Sequence, residues 1–169
     1  MPCPSDSTLC RHDLVAFNIN PKSFLATDYL NHFNEVIMLI NMLPDMPDML
    51  DDVLEWEPKS YPNHFAQSGF AGREMAIAAY HQSPIHVRGA FDAVVSEIDT
   101  LLLSTMSDLK RTRDNPETMI NLARQALGDL HGLVEAASGI INAADSVPVD
   151  SRDHENHAQS TIDALFAEA

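Results

Sequence analysis

The sequence VRGAFDAVVSEIDTLLLSTMSDLKRTRDNPETMINLARQALGDLHGLVEAASGIINAA, residues 87–144, decides the fold. In both halves apolar residues recur at alternating spacings of three and four, so each half predicts a long helix with one continuous apolar face. In the first half this face comprises Val87, Phe91, Val94, Ile98 and Leu101. In the second half it comprises Met119, Ala123, Ala126, Leu130, Leu133, Ala137, Ile140 and Ala144.

A short polar break separates the two predicted helices. The residues KRTRDN interrupt the pattern, and Asn115, Pro116 and Glu117 then supply a helix cap, a first-turn proline and a first-turn acid. Because the link is so short, two helices of about 25–30 residues, each roughly 40 Å long, have to fold back on each other. We therefore predict an all-α fold, a helical bundle built on a long antiparallel hairpin over about residues 84–145.

Within the predicted helical domain, residues 23–145, the segment before the hairpin predicts shorter helices. The sequence leaves open whether residues 23–82 pack on the hairpin or form a separate lobe. Thr27 is the expected N-cap of the first of them, with Asp28 in the first turn, where the helix dipole favours a negative charge. From Tyr29 to Leu43 the apolar residues follow a helical period, and Pro44 ends the pattern.

The remaining N-terminal stretches carry weaker patterns. A short acidic helix is expected after Asp45, and a further helix over residues 73–81. Residues 57–70 are rich in turn-forming residues and are expected to pack irregularly. Residues 1–22 show no sustained period and are expected to form an irregular lead-in.

The charge balance is strongly acidic, with 25 acidic against 10 basic residues and a formal net charge of -15. Carboxylates oppose the counterion release that drives nucleic-acid binding, and anionic lipid repels them, so we expect neither a nucleic-acid nor a membrane partner. Cys3 and Cys10 lie in the lead-in and are expected to be free thiols. Without a signal-peptide pattern or an apolar run near 20 residues, the sequence predicts a cytoplasmic protein.

Three glycines mark the polar face of the last long helix. Gly128, Gly132 and Gly139 are expected beside Asn121 and Gln125, on the side opposite the apolar face. Each glycine inside a helix costs up to ~1 kcal/mol relative to alanine. Their clustering predicts either a close approach by another backbone, as in a homodimer, or an exposed face that tolerates them.

One group of side chains on the first helix has a metal-ligand spacing. Asp28, His32 and Glu35 are four and three residues apart, which places them in one quadrant of a helix. Carboxylates and imidazole at such spacing hold iron, manganese or zinc in helical bundles. No Glu-x-x-His pair, phosphate-binding loop or dinucleotide-binding glycine pattern occurs, so we expect no cofactor, and a solvated helix edge is the alternative interpretation.

The C-terminus differs from an ordinary polar tail. Residues 146–159 are polar and acidic with almost nothing apolar, a composition typical of a flexible linker. In residues 160–169, Ser160 can cap a helix, Asp163 lies in its first turn, and the side chains of Ile162, Leu165 and Phe166 share one side. A helix of about eight residues is not stable alone in water. The segment is therefore expected to bind a partner groove or to fold back on its own bundle.

The residues QSTIDALF in this tail resemble the short peptide, of the SQ-x-x-IDALF/L type, by which two kinds of chemotaxis protein hold the response regulator CheY. The CheZ family carries this peptide at its C-terminus, after a flexible linker and a long antiparallel hairpin, and the switch protein FliM carries it at its N-terminus. The layout here is similar to that of CheZ. The resemblance implies homodimerisation through the hairpin and binding of a CheY-like receiver domain by Ser160, Ile162, Asp163, Leu165 and Phe166.

The same resemblance implies a phosphatase, but one expected motif is missing. The CheZ hairpin supplies a glutamine one turn after an aspartate, and no Asp-x-x-x-Gln occurs in either predicted hairpin helix; Asn121 precedes Gln125 at that spacing, and Asp129 follows it. Whether the chain is an enzyme stays open. The leading hypothesis is a signalling protein that binds a receiver, with two alternatives: a metal-binding bundle, or a non-catalytic adaptor that uses the pliable side chains of Met46 and Met49.

Overall fold

A computed structural model describes residues 11–143 of the chain, and this part is all-α, without a β-strand. The prediction of an all-α bundle is confirmed. Short 3-10 helices, Thr27–Leu30 and Pro47–Met49, precede the second and third α-helices. The α-helices are α1 Arg11–Ala16, α2 Asn31–Met42, α3 Leu50–Leu54, α4 Tyr61–Gln67, α5 Arg73–Gln82, α6 Ile85–Arg111 and α7 Pro116–Ala143.

Helices α6 and α7 form the long hairpin, packed against each other along their length. At the start of α7 the Asn115 side chain accepts a hydrogen bond from the Thr118 backbone N–H at 3.2 Å, so the predicted cap is confirmed. The predicted apolar faces contribute buried residues to both helices, and Leu102 and Leu109, beside the predicted face of α6, are buried as well. The hairpin residues that are buried include Phe91, Ile98, Leu102, Leu109, Met119, Ala123, Leu130 and Ala137.

The shorter helices pack on this hairpin and do not form a separate lobe. Helix α2 contacts α7, α3 contacts α6, and α4 pairs with α5. The buried apolar side chains make one contiguous core that extends from Leu14 to Ile141. The hairpin therefore buries its apolar faces against both its own partner helix and the N-terminal half of the chain.

An aromatic cluster joins the N-terminal half to the hairpin. The Tyr29 ring lies 5.1 Å from the Tyr61 ring and 5.7 Å from the Phe91 ring, measured between centroids. The Tyr29 hydroxyl donates to the backbone carbonyl of Lys59 at 2.7 Å, and the backbone N–H of Ala26 donates to the Tyr61 hydroxyl at 2.8 Å. The first of these hydrogen bonds is partly buried and the second is buried, and both run between the same two segments, so they fix the 3-10 helix against the start of α4.

Two N-terminal predictions differ from the structure. Residues 57–70 contain α4, which begins where the Ser60 side chain accepts from the backbone N–H of Asn63 at 3.4 Å, with a proline in the first turn. Thr27 is not an N-cap, because it is the first residue of a 3-10 helix whose preceding residue, Ala26, provides no side-chain hydrogen bond. The expected cap was based on local sequence, whereas this start is set by the buried contacts of Ala26 and Tyr29.

The segment before residue 22 also differs from the irregular lead-in that was expected. Helix α1 lies within it, and Leu14 and Ile19 are 1 % exposed. The Phe17 ring packs over Gly72, where an added Cβ would lie 2.5 Å from the ring. Such a distance leaves no space for a side chain, so a glycine at this position lets the N-terminal segment reach the core.

Neighbouring leucines on α6 test how the hairpin is stabilised. Leu102 is fully buried and Leu103 is 48 % exposed, although both are leucines on the same helix. We expect Leu102→Ala to lower the free energy of unfolding by about 2–5 kcal/mol, because it removes buried methyl groups and leaves a cavity. Leu103→Ala should change it by no more than about 0.5 kcal/mol. Urea denaturation of both variants measures the difference, and equal losses would contradict the packing described.

Candidate functional site

A cavity of about 290 Å³ lies where α4, α5 and the 3-10 helix meet α6. We call it the tyrosine–aspartate cavity. Three phenols, one phenyl ring and two carboxylates line it together with small polar and apolar side chains, and no Lys, Arg or His of residues 11–143 is among them. The lining residues are Tyr29, Ser60, Tyr61, Tyr80, Phe91, Asp92, Val95, Ser96 and Asp99.

The tyrosines of this cavity are held in place by each other and by hydrogen bonds. Tyr61 and Tyr80 stack with their ring centroids 4.9 Å apart and their planes 16° from parallel. The Tyr80 hydroxyl lies 3.0 Å from each carboxylate oxygen of Asp92, to which it donates. Burial raises the pKa of Tyr80 to about 12, with the Asp92 hydrogen bond adding to the effect. Burial also raises the pKa values of Tyr29 and Tyr61, so all three phenols stay neutral at ordinary pH.

Asp99 is the least satisfied group of the cavity. Its Oδ1 atom is buried and has no hydrogen-bond partner among the described residues. Burial without a compensating charge raises the pKa of its carboxyl to about 6. Neither of the ion pairs between described side chains, Arg111 with Asp108 and Arg113 with Asp51, involves it. Within residues 11–143, Asp99 is therefore a carboxylate without an ion-pair partner.

The proposed metal ligands are not brought together. Asp28 lines a polar cavity of about 520 Å³ with Glu135 and Ser138, whereas Glu35 lines a separate one. His32 is 6 % exposed and stacks on Trp56, with the ring centroids 4.9 Å apart. Within residues 11–143 no group of three or more His, Cys, Asp or Glu could hold a metal ion. The expected single helix is divided here, because Asp28 lies in the 3-10 helix and His32 and Glu35 lie in α2, and the buried His32 ring turns into the core.

His32 is buried as the neutral base. Its Nε2 atom is buried without a hydrogen-bond partner among the described residues, and the His64 ring lies 5.7 Å away. Burial, followed by the neighbouring His64 and Lys59, lowers the pKa of His32 to about 4, although a backbone hydrogen bond at Glu57 acts in the opposite direction. Burial lowers the pKa of His64 as well.

The other predicted surfaces are placed as follows. Gly128, Gly132 and Gly139 are exposed on α7, with no atom within 4 Å of an added Cβ, and their role as a dimer face stays a prediction. The tail residues Ser160, Ile162, Asp163, Leu165 and Phe166, and the linker before them, lie outside the described residues.

Another cavity, of about 160 Å³, lies on the hairpin itself. Gln125 and Asp129 of α7 and Asp108 of α6 line it, beside the apolar side chains of Leu101 and Leu122. The fold thus places one amide and two carboxylates at a single opening, which the sequence pattern of α7 alone did not indicate. Asp108 also pairs with the exposed Arg111 at 2.5 Å.

No protein-family model matches the chain, and no curated protein or solved structure matches it either. No helix within residues 11–143 is both long enough and apolar enough to cross a membrane. Arguments about function therefore depend on the chain's own residues.

The sequence interpretation missed the tyrosine–aspartate cavity because its wall comes from four separate elements. One signal was present: Asp92 and Asp99 are seven residues apart, so they lie on one side of α6 next to its apolar face. No local pattern associates Tyr29, Tyr61 and Tyr80, which lie at unrelated positions along the chain. Only packing brings these three rings together.

The buried His32 predicts acid sensitivity of the fold. The unfolded histidine takes up a proton below about pH 6.5. The folded one does so only near pH 4, so the free energy of unfolding falls as pH drops through this interval. The contribution of His32 should approach about 1.4 kcal/mol per pH unit. We expect His32→Phe, which keeps a ring against Trp56, to remove this part of the slope in urea denaturation at pH 4.5 and 7.

A matched variant controls for the loss of an imidazole in general. His131 is exposed on α7, so His131→Gln should leave the pH dependence of the wild-type protein in place. An unchanged slope in His32→Phe would show that protonation of His32 does not destabilise the folded state.

Proposed function

We propose that this protein is a signalling protein that binds a response-regulator receiver domain, similar to CheY, through residues 160–169. The observation that carries the proposal is the tail sequence QSTIDALF, with the apolar side chains of Ile162, Leu165 and Phe166 at helical spacing. Such spacing suits a short helix that places one apolar face in a hydrophobic groove of its partner. Asp163 would meet a lysine or a helix N-terminus at the edge of that groove.

The arrangement of the chain supports a tethered ligand. Residues 146–159 separate the tail from the hairpin in the sequence. A segment of this length would have a root-mean-square span of about 20 Å if it behaved as a random coil. A tether of that length holds a bound receiver near the body at an effective concentration in the millimolar range. The receiver would then meet the hairpin repeatedly while it remains bound to the tail.

A phosphatase is the second candidate, favoured by the cavity on the hairpin. Hydrolysis of an aspartyl phosphate needs a water molecule aligned for attack, and the Gln125 amide can both accept from and donate to such a water. Asp108 and Asp129 line the same cavity and can pair with a basic side chain of the receiver. Relative to the CheZ pattern the acid on α7 follows the glutamine, so the catalytic geometry would be this chain's own.

Alanine replacement of the three apolar tail residues tests receiver binding. Each buried Ile, Leu or Phe side chain contributes about 1.5–3 kcal/mol, so replacing Ile162, Leu165 and Phe166 together should weaken binding at least about 100-fold. Titration calorimetry with a beryllofluoride-activated CheY receiver measures the affinity. Removal of all residues after Ala158 should have the same effect, whereas Glu168→Gln should leave the affinity unchanged.

Receiver binding that survives the truncation would overturn the proposed function. Loss of binding in the truncated chain, with the melting temperature of the helical body unchanged, would support it.

The phosphatase candidate has a separate test on the hairpin. Gln125→Ala should slow the loss of the phosphoryl group from a phosphorylated receiver by about 100-fold, the usual effect of removing one positioned hydrogen-bonding group. Asn121→Ala removes an exposed amide one turn away, outside the cavity, and should leave the rate unchanged. If the full chain does not accelerate dephosphorylation at all, the phosphatase candidate is wrong, and the binding result is unaffected.

A further inference from the structure

We propose that the tyrosine–aspartate cavity binds an aliphatic diamine or polyamine, with one ammonium group at Asp92 and another at Asp99. This site is independent of the C-terminal tail and of the hairpin cavity. It rests on the composition of the cavity wall, the spacing of the two carboxylates and the unsatisfied state of one of them.

The charges of the wall favour an organic cation. Two carboxylates line the cavity, and no basic side chain among the described residues lines it with them. The Arg88 guanidinium, which lies over the Tyr80 ring, donates to the backbone carbonyls of Tyr80 and His81 and is not part of the wall. A net charge of -15 raises the local concentration of cations around the whole molecule, so a positively charged ligand is attracted before it makes any contact.

The spacing of the carboxylates favours two cationic groups over a single ion. Asp92 and Asp99 are seven residues apart on α6, a rise of about 10 Å along the helix axis. A metal ion holds its oxygen ligands at about 2.0–2.6 Å, so one ion would not bridge carboxylates so far apart. A diamine in an extended conformation places its ammonium groups several bonds apart, which matches two anionic positions along one helix.

The wall between the carboxylates suits the methylene chain of such a ligand. Val95 lies between the two acids in the sequence of α6, and the rings of Phe91 and Tyr29 line the cavity with it. A cavity of about 290 Å³ has room for an alkyl chain of four to six carbons. Aromatic rings also attract ammonium groups, and Tyr80 already has the Arg88 guanidinium carbon 5.7 Å from its ring centroid.

The unpartnered state of Asp99 is explained by such a ligand. A buried carboxylate oxygen without a partner destabilises the fold, and unsatisfied groups of this kind concentrate at binding sites. An ammonium group at Asp99 would supply the missing hydrogen bond and counter-charge. Asp99→Asn removes the charge that the fold leaves uncompensated, so this variant should fold at least as stably as the wild type at pH 7.5.

The test uses the full chain and calorimetric titration with putrescine, cadaverine and hexamethylenediamine, and with butylamine as the monoamine control. We expect a diamine to bind at least about tenfold more tightly than butylamine, because the second ammonium group forms a second charge-assisted hydrogen bond. Asp92→Asn and Asp99→Asn should each reduce the diamine affinity to that of the monoamine. Glu97→Gln removes the same charge from an exposed position of α6 outside the cavity and should have little effect.

The affinity should also depend on pH in a defined direction. Because burial raises the pKa of the Asp99 carboxyl to about 6, its charge is gained between pH 5 and pH 7.5, and binding should strengthen over this interval. Asp92 of α6 and the phenols of Tyr29, Tyr61 and Tyr80 are the other titratable groups in the wall. The three phenols, whose pKa values are raised by burial, remain neutral in this range. This dependence should be absent in Asp99→Asn.

Three results would overturn the proposal. The first is an affinity for butylamine equal to that for the diamines. The second is tighter binding of choline than of the diamines, and the third is an equal loss of diamine affinity in Glu97→Gln and Asp99→Asn. The first result would show that a second carboxylate does not contribute to binding. The second would show that the cavity prefers quaternary ammonium ligands, and the third would show that only the overall charge of the protein affects the affinity.

Discussion

The two hydrogen bonds exchanged between the segments at Tyr29 and Tyr61 are the constraint on which the rest of the structure depends. One fixes the phenol of Tyr29 to the carbonyl of Lys59, and the other fixes the backbone of Ala26 to the phenol of Tyr61. Together they align the 3-10 helix before α2 with the start of α4, and both rings then pack against Phe91 of the hairpin. The same alignment creates the wall of the tyrosine–aspartate cavity, so the core contact and the candidate site are one feature.

The hairpin could be predicted because its information is local and repeated. Each turn of α6 and α7 supplies an apolar residue to the same face, and Asn115 caps the second helix with its own side chain. Helix α1 has six residues, too few to be stable alone, and depends on the burial of Leu14 and Ile19. Helix α4 carried a start signal in Ser60 and the proline after Tyr61, but the turn-forming residues around it obscured that signal.

For the candidate sites, too, the local sequence predicted some features, whereas others depend on packing between distant segments. The spacing of Asp28, His32 and Glu35 predicted a shared helix face and a metal site. In the structure His32 is instead a buried, neutral side chain that stacks on Trp56. Which way a side chain on an amphipathic helix points is decided by elements far away in the chain, here α3 and the residues that follow it. For the same reason nothing in the sequence indicated that Asp99 lacks an ion-pair partner within residues 11–143. Whether a basic side chain lies near Asp99 is decided by the packing of distant segments.

The packing of the N-terminal segment depends on Gly72, a residue far from it in the sequence. The Phe17 ring occupies the space that any side chain at position 72 would need, and Leu14 and Ile19 lie buried on either side of that ring in the sequence. The backbone amides of α1 and the start of α5 should therefore open to solvent as one cooperative unit in hydrogen exchange, although the two lie far apart in the chain. The packing of α1 thus depends in part on the absence of a side chain at Gly72, the residue just before α5.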